Sequence, residues 1–437
     1  MKPWVGPIRN EKGVALPLAL FALMMLSGLL LAFLSMAGME PSIAANLSDA
    51  TRARYLADGG IEWAFDRLVT APMTGPGSWD DILKNGGTMA TDQTFPGLPV
   101  TAGIFTVTIR NDNQAGDNQI TGLPACPTSA PLCSPDGGVA GGNPTTDSNG
   151  VLIVTATGTY NGVQRQIQVV MTAPPAFPGG LFLPGIGSNT SFSGNAFEIS
   201  GHDTNLDDSR GACSSVYGIG VADTATEGTV QTSLTAQQKD NITGRKQDDA
   251  GLEWGDNTIA PDDSFTPAQI RKLVEAAKQK AQVSSHSTKT KPLHYTSVGD
   301  TCAADWDHPN CWGTRDRPKI IYVKGAVDPT ASFNALTISG TSTGTGVLIV
   351  EDGDLRIDGD FRWEGLIIVT GKYVGLRYGG GGGQTTYGGI VINEEKSFTP
   401  NLEVDSRGNA KIRYSCAALN TARSMRGLYS LRSWREL

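Results

Sequence analysis

Residues 11–40 of this 437-residue chain read EKGVALPLALFALMMLSGLLLAFLSMAGME, and this stretch decides how the rest must be built. After Gly13, 26 residues pass without a charge before Glu40. An α-helix needs about 20 apolar residues to cross the roughly 30 Å of hydrocarbon in a bilayer. The sequence therefore predicts a membrane-spanning helix over residues 14–39.

The residues on either side of this run give its orientation. Lys2, Arg9 and Lys12 precede it, so the positive-inside rule places the first twelve residues in the cytoplasm and the later chain outside. A cleavable secretory signal has a shorter apolar core that ends in a small-residue cleavage site. Here Glu40-Pro41 follows the run directly, so we expect the apolar run to be retained.

The helical pattern continues beyond the apolar run. Apolar residues recur every three or four positions, which is the spacing of one helix face: Ile43, Leu47, Ala50, Ala53, Ala57, Ile61, Ala64, Phe65 and Leu68. Pro41 lies near the membrane exit, where a kink is tolerated, and Gly59-Gly60 weakens the helix further on. We expect residues 14–70 to form one bent helix about 80 Å long, half in lipid and half packed on a soluble domain.

The N-terminal features together resemble those of type IV pilins and pseudopilins. They are a short charged leader that ends in Gly13, an apolar helix that begins at once, and an amphipathic continuation. In that family a prepilin peptidase cuts after the glycine, on the cytoplasmic side, and methylates the new N-terminus. The resemblance implies that residues 1–13 are a leader, that the Gly13–Val14 bond is cut, and that Val14 is the first mature residue.

One position departs from the family pattern. Most pilins carry a glutamate at the fifth mature position, whose charge neutralises the N-terminus of a neighbour in the filament, and here that position is Leu18. A carboxylate buried in the membrane is costly without such a partner, so its absence suggests a subunit with no neighbour above it. Non-major pilins at the filament tip show the same departure.

Two further regions resemble the PilX-like pilus assembly family. The stretch Asp58-Gly59-Gly60-Ile61-Glu62 matches in part an Ala-Glu-Ala-Gly-Ile-Glu type sequence of that family. Residues 344–371 and 409–422 resemble stretches in the C-terminal parts of large PilX-like proteins. An ordinary membrane anchor is the alternative interpretation of the N-terminal segment.

Composition favours a β-rich protein outside the cytoplasm. Charged residues make up 18% of the chain, and it contains 54 glycines and 24 prolines among long Thr/Ser/Asn/Gly stretches. That balance is typical of β-rich, loop-rich domains rather than of helical cytoplasmic enzymes. The net charge of -8 argues against nucleic-acid binding, which usually needs a basic face.

Residues 71–175 are predicted to form a small antiparallel β domain. Residues 101–112, TAGIFTVTIRND, alternate apolar and polar side chains as a half-buried strand does. In residues 151–173 two β-branched runs flank Asn161-Gly162, the strongest short-range signal for a two-residue hairpin. The sheet must cover the apolar face of the helix, because an isolated hairpin is only marginally stable in water. The pilin fold would supply this same arrangement.

Residues 176–437 are predicted to form a large β-rich domain. Strand-like runs recur about every eight to ten residues, with Gly or Asp-Gly at the corners and few clean hairpin turns, which favours a parallel β-helix-like solenoid. A twisted sandwich is the alternative. One helix is expected near 266–282, with Thr266 as N-cap and Pro267 at the first position. The predicted fold class is therefore α+β: a long pilin-like transmembrane helix, a small antiparallel sheet and this large domain.

The six cysteines form an even set suited to an oxidising compartment. The two pairs that lie close in sequence lack the CxxC spacing of a zinc ribbon, so a zinc site is disfavoured. We expect two local disulfides and one long-range bridge: Cys126–Cys133, Cys302–Cys311 and Cys213–Cys416.

Four carboxylates lie within nine residues of EDGDLRIDGD (351–360): Asp352, Asp354, Asp358 and Asp360. Carboxylate oxygens are ligands that Ca²⁺ prefers, so a calcium site is one interpretation. The spacing lacks the EF-hand pattern, and Asp-Gly is a favoured turn pair. Turn residues are therefore the preferred interpretation, and no other cofactor is expected.

The basic C-terminal end carries four arginines: Arg423, Arg426, Arg432 and Arg435. They suit contact with anionic lipopolysaccharide or a partner subunit, and they equally suit a solvated chain end.

We expect a non-catalytic minor pilin-like subunit of a type IV pilus or related filament, placed at the tip, that promotes assembly or adhesion. The large head after residue 70 would hinder regular stacking in the shaft. The resemblance implies other pilins, the prepilin peptidase and inner-membrane assembly machinery as partners. It places the head in the bacterial periplasm before assembly and on the cell surface afterwards. The alternative is a membrane-anchored β-helix enzyme or adhesin acting on surface polysaccharide, with the 352–360 cluster as its acidic groups.

Overall fold

The computed structural model describes residues 15–71, 78–114, 116–121, 143–147, 150–174, 179–185, 190–245, 258–262, 265–299, 301–328, 333–379, 382–396, 404–407 and 409–437. The predicted cleavage site Gly13–Val14 and the predicted Cys126–Cys133 bridge lie outside these residues. The α+β class is confirmed: a long apolar helix precedes a small antiparallel sheet and a large domain of parallel strands.

The first helix, α1 (Ala15–Thr70), is 56 residues long, or about 84 Å at 1.5 Å per residue. It continues through Pro41. Its buried stripe begins only at Ala53 and runs to Val69, whereas Ile43 and Leu47 are 64% and 67% exposed. The predicted stripe is therefore wrong in its first part, because the sheet covers only the C-terminal third of the helix.

The small antiparallel sheet follows α1. The strands β3 and β4 are joined at Asn161-Gly162, whose φ values of 47° and 81° are those of the predicted two-residue turn. The elements of this region are α2 (Trp79–Lys84), β1 (Thr88–Gln93), a 3-10 turn (Val100–Ala102), β2 (Ile104–Asn111), α3 (Asp117–Thr121), β3 (Val151–Tyr160) and β4 (Val163–Thr172).

The large domain is a parallel β-solenoid rather than a sandwich, because every strand pair within it is parallel. Its strands are β5 (Gly179–Leu183), β6 (Thr190–Ser193), β7 (Glu198–Ser200), β8 (Tyr217–Val221), β9 (Ile242–Thr243), β10 (Ile259–Pro261), β11 (Val283–His286), β12 (Leu293–Thr296), β13 (Lys319–Lys324), β14 (Asn334–Ser339), β15 (Ser342–Glu351), β16 (Asp354–Asp358), β17 (Phe361–Lys372), β18 (Leu376–Gly379), β19 (Gln384–Lys396), β20 (Val404–Arg407) and β21 (Lys411–Tyr414).

The rungs of the solenoid are not stacked in chain order. One face runs β10-β8-β5-β19-β17-β15-β13-β11, and a second runs β12-β14-β16-β18-β20-β6. The chain therefore enters the solenoid at β5, in the middle of the first face, and continues outward to β10 at one end. It then crosses to β11 at the other end and adds β13, β15, β17 and β19 in turn, so that β19 lies beside β5. As a result β5 pairs with β19, about 200 residues later in the chain.

Stacked glycines let the long strands bend at a shared corner. Gly346, Gly365 and Gly388 are register partners in β15, β17 and β19, and their φ values are 126°, 137° and 128°. A Cβ atom on Gly365 would lie 2.1 Å from the Gly346 carbonyl oxygen. Only glycine fits this corner. Up to this corner β19 pairs with β21, and after the corner it pairs with β5.

Helices flank the solenoid: α4 (Thr224–Thr232), α5 (Ala236–Lys239), α6 (Pro267–Lys278) and α7 (Cys416–Arg423), with a 3-10 turn at Arg426–Leu428. The helix α6 begins at the predicted residue, and both hydrogen bonds of its capping box, between Thr266 and Gln269, are present. It ends at Lys278, four residues before the predicted end. Its predicted apolar stripe is buried: Ile270, Leu273, Val274 and Ala277.

The last strand, β22 (Ser430–Glu436), corrects the predicted domain division. It leaves the solenoid and pairs antiparallel with β4, so the small sheet has the order β1-β2-β3-β4-β22. Without it, β4 would expose a row of unpaired N–H and C=O groups. The basic tail is therefore no free end: Arg435 donates from Nε to Gln168 Oε1 at 2.9 Å.

The contact between α1 and β3 depends on small residues. A Cβ atom on Gly158 of β3 would lie 2.0 Å from the carbonyl oxygen of Ala53 and 2.6 Å from the backbone nitrogen of Ala57. Both alanines are fully buried. The strand backbone therefore rests directly on the helix backbone, and any side chain at position 158 must push the two apart.

We predict that Gly158→Val destabilises the small sheet by about 2–3 kcal/mol, because overpacking a close contact typically costs 1–3 kcal/mol. Hydrogen exchange should accelerate in β3 and β4 and stay unchanged in β15 and β17. The matched control is Gly228→Ala on α4, where an added Cβ meets nothing within 4 Å. Unchanged exchange in β3 after Gly158→Val would show that the helix and strand are not in close contact.

Candidate functional site: the exposed helix and its joint with the head

The first half of α1 presents apolar side chains to its surroundings on every side. All described side chains from residue 15 to residue 48 are exposed; Leu16 and Leu18, for example, are 75% and 64% exposed. An 18-residue window has a mean hydropathy of 2.4 and none of it is buried within the chain. By length and composition the helix can cross a membrane. An apolar surface of this size marks an interaction with lipid or with other apolar helices.

The position of Leu18 is the first turn of this exposed segment. The first turn of α1 carries no acidic residue. The apolar residues that follow it up to Glu40 are uncharged as well. Up to residue 39, the described part of the exposed helix therefore presents only uncharged side chains to its neighbours. The first carboxylate is that of Glu40.

The second half of α1 is joined to the head by an arginine and a group of aromatic rings. Arg426 pairs with Glu62 at 3.2 Å and with Asp66 at 3.6 Å, and its Cζ lies 5.0 Å from the centre of the Phe65 ring. Exposed ion pairs contribute only about 0.2–1 kcal/mol each. The stronger part of the joint is the buried Tyr429, whose ring lies 6.3 Å from Phe65.

A disulfide and a buried carboxylate hold the C-terminal part of the solenoid. Cys213 and Cys416, one of the expected pairs, are bonded. Asp203 is buried beside them and accepts backbone N–H bonds from Cys213 and Cys416, each at 2.8 Å. The three side chains lie close enough for a metal site, but the two sulfur atoms are joined and offer no thiolate. Sequence reasoning missed Asp203, since a lone aspartate far from both cysteines carries no local signal.

The second described disulfide closes a short loop that a buried lysine holds on the solenoid. Cys302 and Cys311 are bonded, as proposed. Lys319 of β13 donates from Nζ to the Cys311 carbonyl at 3.0 Å and also to the Trp306 carbonyl. Burial lowers the pKa of Lys319. The loop is thus fastened at its closing cysteine and at its aromatic residue.

Three of the four clustered aspartates have partners in different places. Asp352 accepts from Lys324 Nζ at 2.7 Å and has a φ of 58° in an Asp-Gly turn. Asp358 accepts from Arg356 Nε at 2.7 Å. Asp360 accepts from the backbone N–H of Gly383 at 2.8 Å. Among the described residues, no three of the four bring their carboxylate oxygens together.

Asp354 differs from its neighbours because it is 1% exposed. Its Oδ2 atom lies 3.4 Å from Nη2 of Arg377 on β18. Burial raises the pKa of Asp354 to about 7, and the arginine offsets only part of that effect. A buried carboxyl of this kind makes the stability of the fold depend on pH, because its charged form is the costly one.

A network of charged and aromatic side chains crosses the outer surface of the solenoid. Glu364 accepts two bonds of 2.6 Å from Arg315 and one of 2.9 Å from Arg362. Arg362 lies 4.4 Å over the ring of Tyr387, whose hydroxyl donates to Asp208. The carboxylates of this network are thus neutralised by arginine or bonded by tyrosine, which ties neighbouring rungs together.

The chain was compared with family models, curated proteins and solved structures. No family model matches the chain, and no curated protein matches its sequence. Among solved structures, the crystal structure of the competence-associated pilin ComZ from Thermus thermophilus is similar with a TM-score of 0.24 and 11% sequence identity, over 89% of this chain and 97% of that chain.

We predict that Asp354→Asn gains stability relative to the natural chain as the pH rises from 4 to 8. Because the pKa of Asp354 is raised in the folded state, its stabilising neutral form is fully present below about 3.8 and is lost as the pH rises through about 7. The difference between the two chains should change by on the order of 4 kcal/mol across that range. Thermal unfolding midpoints at several pH values measure it.

The matched control for this measurement is Asp358→Asn, which removes a carboxylate of the same cluster that is 26% exposed and pairs with Arg356. Its unfolding midpoint should run parallel to that of the natural chain. If the Asp354→Asn curve also runs parallel, the carboxyl at position 354 is not held in its neutral form.

Proposed function

We propose that this chain is a non-catalytic minor pilin-like subunit of a type IV pilus or a related filament. The observation that carries the proposal is α1 itself. Its first half is apolar and exposed all round, and its second half packs on a small antiparallel sheet. This division suits a helix that lies in the membrane first and joins other apolar helices later. The resemblance of the leader around Gly13 to prepilin leaders points the same way.

The proposed order of processing and assembly follows from the two halves of α1. Before assembly the first half spans the bacterial inner membrane and the head lies in the periplasm. The prepilin peptidase cuts between Gly13 and Val14. The assembly machinery then moves the helix from lipid to a bundle with other minor and major pilins, where its apolar surface stays out of water. The head reaches the cell surface with the filament.

The size and attachment of the head support a tip position. The eight-stranded face alone is about 35 Å across at 4.8 Å per strand. The head shares a core with the second half of α1 and is also held by Arg426, so it follows the helix as one body. Such a head would occupy the space of a neighbour in a regular shaft. At the tip the head has room. No neighbour then lies above the subunit, so no glutamate is needed at position 18 to neutralise a neighbour's N-terminus.

We assign the head a role in assembly or adhesion rather than catalysis. The enzyme alternative depends on the acidic cluster 352–360, since glycoside hydrolysis uses two facing carboxylates. Asp352, Asp358 and Asp360 each have a separate partner, and Asp354 is enclosed in the solenoid corner. These contacts suit turns and corners of a structural domain.

The experiment that tests the proposal is intact mass measurement and N-terminal sequencing of the full chain, produced with and without a prepilin peptidase. With the peptidase, the mature chain should begin at methylated Val14. Without it, and in a Gly13→Glu variant with it, residues 1–13 should remain. Cleavage beyond Met39, or an uncut chain in the presence of the peptidase, would contradict the proposal.

A further inference from the structure

The far end of the solenoid is an open rung. Within the described residues, β11 pairs only with β13, and β12 pairs only with β14. Each is four residues long, and each is the last strand of its face. End rungs of solenoids need a cover, because each rung buries its apolar side against the next one.

The backbone of β11 has its hydrogen-bonding groups available on the outer edge. The N–H of Ser287 donates to the Lys324 carbonyl at 2.7 Å and continues the register in which Val283 pairs with Ile321, so the backbone groups of Val283, Ser285 and Ser287 face β13. Backbone groups alternate sides along a strand. Those of Ser284 and His286 therefore point away from β13, towards the open side. Such an edge is a template for another strand.

The inward side chains of the open rung are only half covered. Val283 and Tyr295 are of intermediate burial, whereas Ile321, Val323 and Ile338 on the next rung are at most 1% exposed. A strand added to the end would therefore bury more apolar surface as well as pair the backbone groups.

The open rung is also basic, although the chain as a whole has a net charge of -8. Residues 276–299 contain no aspartate or glutamate, and they carry four lysines and two histidines: Lys278, Lys280, His286, Lys289, Lys291 and His294. Lys289 pairs with Asp328 and Lys278 with Glu275. Lys280 and Lys291 are exposed, and no ion pair engages them within the part of the chain that the structure describes.

A cleft begins where β11 begins. It has a volume of about 680 Å³, and its lining includes Lys280 and Gln282 on one side and the apolar Phe65, Ile320 and Met425 on the others. A strand that runs along β11 and continues past Gln282 would reach this cleft. The cleft can then take an apolar side chain while Lys280 meets an acidic one.

We propose that the β11 edge of the solenoid binds an extended, acidic segment of a partner protein, which adds to the sheet as a further strand and places an apolar side chain in the cleft. A second copy is the poorer occupant, because two basic rungs repel each other. An anionic polysaccharide would match the charge but has no peptide N–H and C=O groups to pair with Ser284 and His286. Strand addition gives affinity through the main chain and specificity through such pockets. This contact is separate from the exposed first half of α1, because the cleft takes only Phe65 from the second half.

The test uses the full chain in detergent and a fluorescein-labelled peptide of alternating residues, Trp-Glu-Val-Glu-Val-Glu-Val-Glu, followed by fluorescence anisotropy. We expect saturable binding, and at least tenfold weaker binding of the peptide with lysine in place of glutamate. Ser284→Pro should weaken binding at least tenfold, because proline removes an N–H that faces the open edge. The pairing of β11 with β13 does not use that N–H, so the unfolding midpoint should hold.

Charge variants complete the test. Lys280→Glu with Lys291→Glu should weaken binding of the acidic peptide, and the matched control Lys84→Glu on α2 should not. Polygalacturonate should compete poorly, and Ser284→Pro should leave its binding unchanged. The proposal is overturned if the acidic peptide fails to bind, if Ser284→Pro binds it as the natural chain does, or if polygalacturonate competes as well as the peptide. None of these outcomes bears on cleavage at Val14.

Discussion

One apolar core holds the membrane helix, the small sheet and the solenoid together, and the rest of the structure depends on it. The core takes Ile61, Leu68 and Phe65 from α1, and it includes Leu152 from the sheet and Val347 from the solenoid. The residues of β15 from 347 to 350 are buried on both faces, as is typical of parallel strands covered on two sides. Because this core is shared, the orientation of the head is fixed by the second half of α1.

This constraint links packing to function. The close contact of Gly158 with Ala53 and Ala57 leaves no room for the sheet to shift along the helix. The exposed first half of α1 has no such contact within the chain, so its apolar surface must be covered from outside. α1 is thus divided at about residue 50. The part before it has an apolar surface that lipid or other helices must cover, and the part after it carries the head. The proposed pilin-like role depends on that division.

Local patterns in the sequence predicted the elements whose structure is decided locally. The helix spacing after Pro41, the Asn161-Gly162 turn and the capping box at Thr266 each depend on neighbouring residues. The parallel solenoid was also indicated, because glycine corners and short strands recur. The partners of the strands were not predictable. Parallel pairing joins residues far apart, and nothing in the local pattern places β5 beside β19 or β22 beside β4.

The candidate sites show the same limit. The Cys213–Cys416 bridge could be proposed by counting cysteines, whereas Asp203 beside it could not be found, since only the fold brings it to both backbone N–H groups. The acidic cluster 352–360 looked like one site because its members are close in sequence. In the solenoid, neighbouring residues turn corners and face different rungs, so closeness in sequence does not make a shared site.

The central claim is that this subunit carries its head at the end of a filament. Electron microscopy of purified filaments labelled with a gold-conjugated antibody against the head tests it most directly. The account predicts gold at one end of a filament and none along the shaft. Gold distributed evenly along the length would contradict the account, because it would show that the shaft accommodates the head and that Leu18 can lie below a neighbour.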